Sequence, residues 1–174
     1  MLDQLKSWSI WRSLKKDVAK RGWTIVHLDG ANHRGPTWAY TIGLWEFAQA
    51  PELIVFGHDL LWSNGLLSEA LKQLQSGLVL QDMLRWSLEG FEGTWRRVDP
   101  MHIQSEEWFN GARRYKREMT GDETFEAFQL VTPDEGGKYP WEDGFNESWR
   151  HYQNELYLAA PQPGPGELAH RGRV

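Results

Sequence analysis

The stretch from residue 22 to residue 57, GWTIVHLDGANHRGPTWAYTIGLWEFAQAPELIVFG, limits the fold more than any other part of the chain. Trp23 to Leu28 is apolar on both alternating faces, the pattern of a strand covered on both sides. Asp29 to Pro36 is rich in residues that tolerate tight turns and ends that run. A second run, Thr37 to Trp45, places Trp38, Tyr40, Ile42 and Leu44 on one face and Thr37, Ala39, Thr41 and Gly43 on the other. Small residues with a glycine within such a run imply close approach of another backbone, a bulge or a ligand. Pro51 opens a third run, Glu52 to Phe56, which stops at Gly57. Three strands in about 35 residues predict an antiparallel meander, because only antiparallel pairs accept such short connections.

Helical spacing frames this meander. Leu2, Leu5, Trp8, Trp11, Leu14 and Val18 recur every three or four residues, predicting a helix that Asp3 caps and Gly22 stops. Its two tryptophans are expected to pack on the sheet. Leu67, Ala70, Leu71 and Leu74 mark a second helix, capped by Asp59 or Ser63 and closed by Gly77. Residues 84–88 and 94–98 alternate as a hairpin that Pro100 ends. A third helix runs from Ser105 to Gly121, with Trp108, Phe109, Ala112, Tyr115 and Met119 as its apolar stripe and its basic residues toward the end. Residues 124–132 form a last strand with Gln129 inside it, 133–141 a turn-rich loop, and 148–158 a last ordered element. The expected architecture is one α+β domain over 1–158, a mainly antiparallel sheet or partly closed barrel with three helices packed on it. Residues 159–174, rich in Pro and Gly, are expected to be a disordered tail.

Composition removes several classes of function. There is no cysteine, so disulfides, thiolate nucleophiles and Cys-ligated metals are excluded, which fits a reducing compartment. The first residues lack the apolar core of a secretory signal, and no apolar run is long enough to span a bilayer. A cytoplasmic location and no membrane partner follow as expectations. The net charge of −5 argues against nucleic acid, whose affinity depends on neutralised phosphates. Of the unusual 11 tryptophans, most are expected in a bulky core. The basic clusters Arg96-Arg97 and Arg113 to Arg117 read as solvated faces.

Gly22-Trp23, Tyr40 to Leu44 (YTIGL), Pro51 to Val55 (PELIV), Gln129 to Val131, Pro133-Asp134 and Tyr139 to Trp141 together resemble the blocks of the bacterial family known as domain of unknown function 4262, across about residues 20 to 145. Thr132 departs from the aromatic residue often found before Pro-Asp in that family. The resemblance implies a small bacterial cytoplasmic domain and no particular reaction.

The candidate ligand-binding residues are Trp38, Tyr40, Thr41, Glu52, Gln129, Asp134 and Trp141. Thr41 lies on the small-residue face, Glu52 at a strand start, Gln129 inside an apolar run and Asp134 after a proline. A pocket between the small face of strand 37–45 and loop 133–141 would join them. Each also has an ordinary structural explanation, since buried polar groups normally bond to nearby backbone. The six histidines form no metal-ligand pattern, although His27, His33 and His58 lie near strand ends. No nucleophile elbow or phosphate loop is present. Three readings stay open: a non-catalytic module for a small-molecule ligand or protein partner, a flavin-binding split-barrel enzyme, and an immunity-like or regulatory partner domain. Cofactor and oligomeric state are not legible.

Overall fold

A computed structural model describes residues 2–30 and 35–158, with side chains from residue 8 onward. The predicted tail and His33 lie outside the described residues. The meander forms as expected: β1 (Thr24–Leu28) pairs antiparallel with β2 (Trp38–Ile42), and β2 with β3 (Glu52–Phe56). The hairpin is β4 (Leu84–Leu88) with β5 (Phe91–Arg97), and β6 (Ala127–Val131) is the last strand. β6 lies parallel to β3 on one side and antiparallel to β5 on the other, giving the order β1-β2-β3-β6-β5-β4. The sheet is therefore open, with β1 and β4 as its edges, and the barrel alternative is corrected. β2, β3 and β6 are buried at every position, which is why their sequences are nearly continuous apolar runs.

Five helices, two more than expected, accompany this sheet among the described residues. α1 (Leu2–Arg21) and α5 (Asn110–Thr120) cover one face, and α3 (Leu60–Gln75) covers the other. The unexpected pair are short: α2 (Leu44–Phe47) and α4 (Pro100–Gln104). Pro100 does end the hairpin, but it also begins α4. Its missing N–H costs nothing in a first helical turn, and the Asp99 carboxylate accepts from Met101 N at 2.9 Å. α5 starts at Asn110 rather than Ser105, because α4 and a bend take up the preceding residues. Asp59 proves to be the cap of α3, accepting from Trp62 N at 2.8 Å.

Alternation along the strands divides the core in two. Trp38, Tyr40, Ile42, Ile54 and Phe56 meet Trp11, Val18, Trp108, Phe109 and Tyr115 on one face. Ala39, Leu53, Val55, Trp95, Phe128 and Leu130 meet Leu66, Leu67, Ala70 and Leu71 of α3 on the other. Trp108 contacts Trp38 and Phe56 edge to face, both at 5.4 Å, and such pairs add about 0.5–1.5 kcal/mol each beyond area burial. The tryptophans of α1 divide: Trp11 is buried, while Trp8 is exposed beneath the Arg12 guanidinium.

Candidate functional site

The second strand ends one turn earlier than its alternation implies. Gly43 adopts φ +99°, and a Cβ there would lie 2.8 Å from the Gly22 carbonyl, so the close backbone approach is real and only glycine fits. The chain turns here into α2, and the N–H groups of Gly43 and Leu44 point at the Glu52 carboxylate, donating to Oε1 at 2.7 and 3.0 Å. The Thr41 hydroxyl donates to Oε2 at 2.5 Å and accepts from Leu53 N at 2.9 Å. The YTIGL and PELIV blocks are thus two halves of one hydrogen-bond network. Glu52 has no solvent exposure, and burial pushes its carboxyl up from 4.5 to about 7. The Thr41 hydroxyl and the N–H groups of Gly43, Leu44 and Trp45 hold it down from going further.

The fold brings Thr41 and Glu52 together, with Tyr40 near enough to sense the Glu52 charge, and leaves Trp38, Gln129, Asp134 and Trp141 outside this network. Tyr40, Ile54, Gln129 and Arg96 are successive cross-strand neighbours and share one sheet face, whereas Thr41 faces the opposite way. Thr41 and Gln129 therefore do not border one hollow. Gln129 clamps the chain's C-terminal segment, donating to the Asn154 carbonyl at 2.6 Å and accepting from Leu156 N at 2.9 Å. Asp134 organises its own loop, accepting from the N–H groups of Gly136, Lys138 and Asn146 at 2.9, 2.8 and 2.8 Å. Those bonds, Asn146 first, hold its carboxyl below the ordinary value. The Tyr40 hydroxyl accepts from Gly111 N at 3.0 Å, and burial pushes it up to about 12. Trp38 packs in the aromatic core, and Trp141 stacks on Tyr139 at 5.0 Å and against the Arg96 guanidinium.

Thr41 beside Glu52 has the outline of a nucleophile with a general base. Both side chains have no exposure, however, and the backbone N–H pair that would serve a developing oxyanion is already spent on Glu52 itself. No reacting group can approach them. Among the described residues no cluster of three or more His, Asp or Glu could hold a metal ion.

A concave surface does open next to this network. α1, α2 and α5 enclose a cleft of about 530 Å³ lined by Lys15, Val18, Ala19, Gly22, Glu46, Phe47, Tyr115 and Met119. Its walls are mainly apolar. At one side Tyr115 donates to Glu46 Oε2 at 3.0 Å, and burial followed by the Glu46 bond pushes the phenol up to about 12. At the rim, Lys15 is paired with Glu118 at 3.0 Å. The predicted α5 stripe contained Tyr115 and Met119, but Met119 is 54% exposed and lines the cleft instead of the core. Glu46 and Phe47 were overlooked because the periodicity of 37–45 reads as strand to its end. The one sequence signal for α2 was Gly43, placed where a bulky alternating run has no use for a glycine.

No helix among the described residues is long and apolar enough to cross a membrane. No curated protein and no solved structure matches the chain. A family model does, over residues 17–146, which takes in the Gly22 stop, the Glu52 network, the cleft lining apart from Lys15 and the Asp134 loop; the chain belongs to the family described as Domain of unknown function (DUF4262).

Proposed function

We propose that this domain is a non-catalytic binding module whose ligand sits in the cleft between α1, α2 and α5. The observation that carries the reading is a division of labour. The polar residues that sequence singles out are consumed by backbone, whereas the cleft combines apolar walls with one convergent polar pair, Tyr115 and Glu46. Its volume and lining are those of a small-molecule site. Glu46 is exposed and presents a carboxylate to the cleft, while the lining cation Lys15 is paired with Glu118, so the ligand class is a small apolar body bearing an amine or other hydrogen-bond donor. Of the sequence candidates, Glu52 and Thr41 serve this site indirectly, by fixing the turn from which α2 starts.

Phenethylamine and phenylacetate are suitable probes, having the same ring and opposite charge. Titrating each into the protein, with the Met119 methyl and Phe47 ring followed by NMR, should give saturable shifts for the amine and at least tenfold weaker binding for the acid. Ala19→Trp, which fills the cleft, should abolish both. Saturation that maps elsewhere, or conversion of a probe into a new compound, would overturn the reading.

One further observation favours a protein partner: Leu60, Leu61 and Trp62 at the start of α3 are 55%, 82% and 53% exposed in succession. Concentration-dependent light scattering that Leu61→Ser removes would support that second reading, and a strict monomer without extract partners would count against it.

A further inference from the structure

α2 is a single turn of helix, too short to hold itself, and its cap Gly43 and first residue Leu44 bond through their N–H groups to a carboxylate on a neighbouring strand. Two residues further on, the same turn carries Glu46 and Phe47 into the wall of the cleft. We propose that Glu52 is a proton-operated latch on α2: ionised, it grips the Gly43–Leu44 turn and keeps the cleft wall in place, and neutral, it releases that grip.

The chemistry follows from the three donors. A carboxylate accepts from two N–H groups on one oxygen and from the Thr41 hydroxyl on the other, and charge-assisted bonds are about twice as strong as neutral ones. Adding a proton removes the charge from the pair and makes Oε2 a donor. The Thr41 hydroxyl already accepts from Leu53 N, so its own hydrogen must then turn away. Burial places this event near neutral pH, at about 7.

Among the described residues, the groups around Glu52 leave it without a counter-ion contact. From β2 it meets Tyr40 and Thr41, and from α5 the charge-sensitive Tyr115, which is bonded to Glu46 of α2. Lys116 of α5 lies over the Trp45 ring at 3.8 Å, and Lys15 of α1 is held by Glu118. On the β6 side, Glu126 offers its carbonyl to Glu52 N while its carboxylate pairs with Arg97. The latch acts with or without a ligand. Failure of probe binding would leave it standing, and its own failure would leave the binding reading standing.

The test follows backbone amides and side chains of the full chain by NMR between pH 5 and pH 8.5. Gly43 and Leu44 should shift together with a midpoint near 7, and the Phe47 ring and Met119 methyl should track the same midpoint. Glu52→Gln should flatten all four curves, separating them from histidine titrations. Thr41→Val, which keeps the carboxylate and removes its shortest donor, should move the midpoint upward. Gly43 and Leu44 without an inflection near neutral pH, or Phe47 and Met119 static while those amides titrate, would overturn the proposal. So would unchanged curves in Glu52→Gln, or in Thr41→Val should the first variant not fold.

Discussion

Glu52 at the start of β3 and Arg96 near the end of β5 are both fully shielded from solvent, and they are accommodated in opposite ways. Glu52 has no cation partner among the described residues and is met by backbone N–H groups and a hydroxyl. Arg96 is paired with Asp82 at 2.9 Å, donates to the Leu158 carbonyl at 2.7 Å, and lies against the rings of Tyr157 and Trp141 at 4.1 and 4.6 Å. An arginine keeps its charge throughout the physiological range, so burying one demands lasting partners. A carboxyl can shed its charge instead. Dipoles suffice to hold it, and the result is a group that titrates near neutral pH. In one half of the sheet the buried charge is permanent, and in the other it can be shed.

That contrast breaks most visibly at Asp82. Asp82→Ala leaves Arg96 buried without its counter-ion and should cost about 3–5 kcal/mol. Urea unfolding should show the same loss at pH 6 and pH 8, and a loss confined to one pH would erase the distinction between the halves.

The Glu52 half should show the reverse behaviour. Its carboxyl is raised in the fold, so its contribution is fully present below the unfolded value of 4.5 and is lost as pH rises through about 7. Across that window stability should fall by about 3 kcal/mol, each pKa unit being worth about 1.4. His58, half-buried against Phe91 with its pKa lowered first by desolvation, works in the other direction, so wild type must be compared with Glu52→Gln rather than read alone. Unfolding midpoints of the two proteins should converge at acid pH and separate above neutral.

Smaller changes sharpen the same picture. Thr41→Val removes a hydroxyl that donates to a charged group and should cost about 2 kcal/mol at pH 8 by thermal unfolding, with a smaller loss at pH 5. Lys116→Ala removes the ammonium over Trp45 together with its methylene stem and should cost under about 1 kcal/mol.

How much of this was legible in the chain follows from the range of each interaction. The meander, the hairpin and the long helices rest on local alternation and on stops such as Gly22, and each formed with shifted bounds: β2 stops at Ile42 instead of Trp45, β5 starts at Phe91 instead of Thr94, and α5 starts at Asn110 instead of Ser105. The insertion of β6 beside β3 depends on a crossover from Gly57 to Glu126 that no local pattern encodes, so the parallel pair was missed. α2 was hidden because Leu44 and Trp45 continue the alternation of β2 until Gly43 is seen in its left-handed conformation. The pairing of Thr41 with Glu52 needed a register, and the separation of Thr41 from Gln129 needed the same register: a shift of one residue exchanges the faces. Asp134 was readable as a turn former because its partners lie within 12 residues of it.

The most direct measurement is the carboxyl-carbon chemical shift of Glu52 as a function of pH in the intact protein. The account predicts a single titration centred near pH 7 that moves upward in Thr41→Val. A midpoint at the ordinary 4.5, unmoved by that substitution, would contradict it.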